Sequence, residues 1–148
     1  MARAISNKNV LQAKFDVADF EEVGTRIILL DKESLKDLTA RLRKKQSPDI
    51  IVIDSVHYWL GFKMSDYMKL RQQFPDKLFI FVAHERKGEP KGSLAQNLRY
   101  DADIKIRVEG YKAFTTTRYE VAERHEGGAD FTIWEKGAAE YWANITTK

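Results

Sequence analysis

The residues whose types and spacing could do chemistry begin with Asp54 and Ser55, which follow the unbroken apolar run of residues 50–53. That run is Ile-Ile-Val-Ile, β-branched throughout and without polar alternation, the pattern of a buried parallel strand that delivers a carboxylate to the loop at its end. A carboxylate delivered there could serve a metal, since hard cations prefer oxygen ligands. The plainer alternative is a strand-end carboxylate that caps a nearby backbone amide. A second apolar run, residues 78–83, ends on His84, so a second titratable side chain is expected where a strand meets a loop. His57, Asp101 and Asp103 could join Asp54 and His84 as a mixed imidazole and carboxylate hydrolase site, although no ligand spacing supports that set.

Cations form two groups. Arg41, Arg43, Lys44 and Lys45 close a helical pattern and are read as complementing its dipole. Arg86, Lys87 and Lys91, with Arg99 further on, belong to a segment rich in charge, glycine and proline that is read as a mobile surface loop able to meet phosphates, diluted by Glu85 and Glu89. Tyr58, Trp59, Phe62, Tyr67, Trp134, Tyr141 and Trp142 are read as core or as cover for a sheet edge, with a base-stacking platform as the alternative.

The elements that must position these groups follow from periodicity. The first 25 residues read as a helix and turn, with Val10, Leu11, Phe15, Ala18 and Phe20 apolar and Gly24 closing the segment. Residues 26–31 read as a strand, residues 34–45 as a helix stopped by Ser47-Pro48, and residues 65–74 as a helix with Ser65 as N-cap and Pro75 just beyond. Strand, helix, strand, helix, strand predicts a parallel sheet with ligands at its C-terminal edge, where Asp54 and His84 would meet. Residues 102–108, 112–119 and 131–134 alternate as an antiparallel meander, expected to extend that sheet at one side.

With 148 residues, 43% hydrophobic and 32% charged, the chain has the composition of one globular domain, residues 1–148. It has no cysteine, which excludes disulfides, thiolate metal sites and a cysteine nucleophile. The apolar stretches are strand-sized and residues 1–10 lack a signal-like apolar region, so a cytoplasmic protein without a membrane role is expected. A net charge of +3 permits nucleic-acid contact without requiring it.

The order of these pieces resembles the RecA-like P-loop ATPase core, in particular the RadA/Sms, replicative-helicase and KaiC-like branch. The resemblance rests on residues 26–31, the helix after them, Ser47-Pro48-Asp49, a Walker B-like run at 50–55, the strand to His84, and the glycine-bearing loop that leads to Asp101-Ala102-Asp103. Thr116-Thr117-Arg118-Tyr119 is similar to the family's Lys-Asn-Arg-Phe motif, with threonine where the lysine would fall.

The resemblance implies an α/β, RecA-like fold: a mainly parallel sheet flanked by helices, with a C-terminal antiparallel meander and without the phosphate-loop strand. It implies Mg²⁺ and ATP as cofactors, with Asp54 and Ser55 at the metal and nucleotide, His84 as γ-phosphate sensor and Arg118 as an arginine finger. Arg86, Lys87, Lys91 and Arg99 would face DNA, in a recombination or repair context. No G-x-x-x-x-G-K-[ST] occurs in the chain, and the family's catalytic glutamate has no counterpart, so a degenerate domain truncated at its amino end is expected. Hydrolysis by this chain alone is not expected, and the missing strand should lead to rearrangement or homo-oligomers. The alternative is a non-catalytic self-association or DNA-binding module derived from the same fold.

Overall fold

The computed structural model describes Ile28, Leu30 and residues 33–118 and 130–146. The helix expected in the first 25 residues lies outside them, as does the strand expected at 26–31 apart from Ile28 and Leu30. Among the described residues the chain is mixed α/β, with four helices and three small sheets. Its contacts divide it into two units between Val82 and Ala83.

The first unit opens with helix α1 (Leu35–Leu42). Ser34 is its N-cap: the hydroxyl accepts the Asp37 N–H at 3.2 Å and donates to the Asp37 carboxylate at 2.6 Å, an arrangement worth about 1 kcal/mol. Leu38 and Leu42, one turn apart, are its buried face. The helix stops three residues before the expected end because the Lys44 N–H turns to the carbonyl of Arg41, a tighter i−3 bond that closes the last turn.

Strand β1 (Ile50–Asp54) pairs in parallel with β2 (Leu78–Val82), Ile50 opposite Leu78 and Asp54 opposite Val82. Helix α2 (Met64–Gln73) makes the crossover between them. Its N-cap is Lys63 rather than Ser65, because the Asp66 carboxylate reaches back to accept the Lys63 N–H at 3.1 Å. Phe74, ahead of Pro75, leaves helical geometry as a residue preceding proline is biased to do.

One face of the pair is covered. Ile51 is 8% exposed, and Phe81 meets Tyr67 of α2 edge-on at 5.5 Å and Phe62 at 6.2 Å, with Trp59 stacked on Phe62 at 4.3 Å. The other face, Ile50, Val52, Leu78, Ile80 and Val82, is exposed, Val52 by 59%. Burial on both faces was the sequence expectation. The strands instead alternate, because α2 packs on one side and no described residue covers the other.

The second unit replaces the expected mobile loop with a tight hairpin, β3 (Glu85–Arg86) against β4 (Glu89–Pro90). Its two turn residues, Lys87 and Gly88, both have positive φ, 56° and 81°, the mirror-image turn that matches strand twist. Helix α3 (Ser93–Asp101) follows, then β5 (Ile104–Glu109), β6 (Lys112–Thr117), β7 (Asp130–Thr132) and helix α4 (Glu135–Thr146). Neither α3 nor α4 was expected.

β5, β6 and β7 pair antiparallel in that order and form a sheet of their own. The expected extension of the parallel sheet by the meander is not made among the described residues. The β5–β6 turn places Gly110 and Tyr111 at φ 52° and 61°, a conformation that costs a bulky residue about 1 kcal/mol. Helix α4 lies against this turn. Trp142 Nε1 donates to the Gly110 carbonyl at 3.1 Å, and the Trp142 ring meets Phe114 of β6 edge-on at 5.9 Å. No helix among the described residues is long and apolar enough to cross a membrane.

Candidate functional site

Asp54 is the last residue of β1, exposed, and its carboxylate makes no hydrogen bond or ion pair among the described residues. The amide-capping role left open above is therefore not observed there. The peptide joining Asp54 to Ser55 is cis. Beyond it the Val56 N–H donates to the carbonyl of Val82 at 3.1 Å, carrying the ladder one step past the strand, and the Tyr58 N–H turns back to the carbonyl of Ser55 at 3.0 Å.

Between these bonds Ser55 is held at 3% exposure, and its Oγ has no hydrogen-bond partner among the described residues. A buried hydroxyl without a partner costs about 1–3 kcal/mol, so this atom is the one polar group of the site with an unmet requirement. Its burial arises from packing around the β1–β2 end and has no signal in sequence.

The exposed Asp54 carboxylate fits the protein half of an Mg²⁺ site, since Mg²⁺ uses one or two carboxylates and completes its shell with water and substrate phosphates. The nucleotide half fits less well. The sequence contains no G-x-x-x-x-G-K-[ST], the motif whose lysine and amides cradle a triphosphate. No group of three or more His, Cys, Asp or Glu side chains among the described residues is gathered so as to hold a metal; of the hydrolase set, Asp54 and His57 lie in the first unit and His84, Asp101 and Asp103 in the second.

His84 lies two residues beyond the end of β2, in the second unit. It is exposed, and its carbonyl accepts the Lys91 N–H at 2.8 Å, which closes the base of the β3–β4 hairpin. Arg86 sits in β3, Lys87 in the turn and Lys91 just past β4, all exposed. Arg99, on α3, is ion-paired with Glu89 of β4, and Gln96 Nε2 reaches the Pro90 carbonyl at 3.4 Å, so α3 is tied to the hairpin. Arg118 is exposed immediately after β6, its N–H donating to the Asp103 carbonyl at 3.1 Å. Thus the structure joins Asp54 with Ser55 in the first unit, and His84 with the hairpin cations in the second.

Of the aromatic residues, Phe62 and Tyr67 are buried in the first unit. Trp134 differs from them: it is 50% exposed, although its ring is held on two sides, by Gly137 and by Tyr111. Glycine in a helix interior costs about 1 kcal/mol relative to alanine. The spacing Trp-x-x-Gly at the head of a helix was its sequence signal.

No family model, curated protein or solved structure matches this chain.

Proposed function

We propose that the chain is a segment of a RecA-like ATPase core that carries the metal-facing half of a nucleotide site. The observation that supports this reading is the end of the parallel β1–α2–β2 unit, where the exposed Asp54 carboxylate has no partner among the described residues and the next residue, Ser55, is buried with its Oγ unbonded. Asp54, with Ser55, would hold Mg²⁺ through water. The metal would neutralise phosphate charge when bound. His84 and Arg118 take the sensor and finger roles by resemblance, and the context is cytoplasmic DNA recombination or repair.

Without amides and a lysine on the phosphates, the chain alone does not hydrolyse ATP. The expected result of a fluorescent-ATP titration is weak, Mg²⁺-dependent binding that Asp54→Ala abolishes, with no phosphate released. Binding indifferent to Mg²⁺ and to Asp54→Ala, or no binding at millimolar nucleotide, overturns this reading.

The second reading, a non-catalytic DNA-binding or self-association module, is favoured by one observation: Arg86, Lys87 and Lys91 are displayed on an ordered hairpin. Phosphate contacts of this kind make affinity fall with salt. Neutralising the three should flatten the salt dependence of binding to a duplex or single strand; an unchanged slope removes the hairpin from the interface.

A further inference from the structure

We propose that the Trp134 indole is a stacking platform for an unpaired base of a single-stranded nucleic acid. Trp134 directly precedes α4, and its ring fills the space that a Cβ on Gly137 would need, with Cδ2 at 2.9 Å from that position and two further ring carbons nearer still. The indole therefore lies on the helix where only glycine admits it. Tyr111 forms the second support, its ring perpendicular to the indole at 88° with centroids 4.9 Å apart. Tyr111 is fixed in turn, because its carbonyl accepts the N–H groups of both Ile133 at 2.8 Å and Trp134 at 3.4 Å.

The result is a ring of fixed orientation that is nonetheless half open to solvent. A tryptophan serving only to pack buries more of itself and bonds its N–H, as Trp142 does against Gly110 and Phe114. A rigid aromatic ring with half of its residue's surface exposed is suited to base stacking, which tolerates any sequence because every base has a π-face. Lys112, beside Tyr111 in sequence, is ion-paired with Asp130 at 3.6 Å, so exposed Lys136, two residues past Trp134, is the cation available to a flanking phosphate. Nothing in this proposal depends on the Asp54 site.

The test is fluorescence anisotropy with labelled oligothymidylate and with the same backbone carrying abasic positions, using the full chain. The intact protein should bind the abasic strand about tenfold more weakly, and Trp134→Ala should lose a similar factor for oligothymidylate. Trp134→Phe should keep most of the affinity. Gly137→Ala keeps both rings and favours the helix, but it evicts the indole; it should lose about as much as Trp134→Ala with far-UV circular dichroism unchanged. Asp54→Ala should bind oligothymidylate as the intact chain does, so failure of the nucleotide site is read separately.

Equal affinity for normal and abasic strands, no binding, or full affinity in Gly137→Ala overturns the proposal. A Trp134→Ala effect confined to sedimentation also overturns it and assigns the surface, with exposed Phe131 and Ile133, to a protein contact.

Discussion

Replacing Ile51 and Val52 by alanine, one at a time, measures how differently the two faces of the parallel pair are packed. The residues are neighbours on β1 and share backbone hydrogen bonding, but Ile51 is 8% exposed and Val52 is 59% exposed. Ile51→Ala removes buried carbon and leaves a cavity on the covered face, which costs about 3 kcal/mol. Val52→Ala removes two methyl groups, each worth about 0.8 kcal/mol when fully buried; at this exposure the loss is about 0.6 kcal/mol, and reduced strand preference raises it to about 1 kcal/mol.

Urea denaturation followed by far-UV circular dichroism, with hydrogen exchange read on the peptide spanning β1, reports the difference. A gap of about 2 kcal/mol separates the two midpoints by about 1 M urea. Equal losses of about 3 kcal/mol would refute the one-sided packing and show that the second face is covered in solution. If the Val52→Ala loss grew with protein concentration, the cover would be another copy of the chain.

Ser55→Ala should raise stability by about 1 kcal/mol, because it deletes a buried hydroxyl that has no partner, while weakening Mg²⁺-dependent nucleotide binding; thermal denaturation and the fluorescent-ATP titration check the two halves, and a loss of stability would mean that the hydroxyl is bonded in solution. Gly110→Ala meets two obstacles, a φ of 52° and a Cβ that would overlap the Tyr141 ring and come within 2.9 Å of Trp142 Nε1. It should cost about 2–3 kcal/mol, seen as faster hydrogen exchange across α4 and the β5–β6 turn, and unchanged protection would argue against that docking.

Much of the local structure was legible in the residues themselves. Leu38 and Leu42 spaced one turn apart behind a Ser-x-x-Asp start describe α1, and short apolar runs describe β1 and β2. The helices α3 and α4 also carried a legible pattern, Leu94, Ala95 and Leu98 in one and Ala138, Tyr141, Trp142 and Ile145 in the other. Neither pattern was read as a helix: the one lies behind the charged, glycine-bearing stretch and the other behind the strand-like residues 131–134. That stretch was itself misread, since Lys87-Gly88 is a two-residue turn and not a slack loop. Asp54 was singled out from its expected place at the end of a strand, a local property, and it does end β1.

By itself, then, the sequence determined the secondary-structure periods, the carboxylate at the end of β1 and the absence of a phosphate loop, because each depends only on residues close along the chain. Tertiary structure alone decided which face of β1–β2 is covered, that the meander closes into its own sheet, that Ser55 is buried without a partner, and that Trp134 lies on Gly137 with half its surface open. An apolar run has the same composition whether one face or two are packed. Burial and orphaned polarity are set by groups distant in sequence, whose arrival no local pattern encodes.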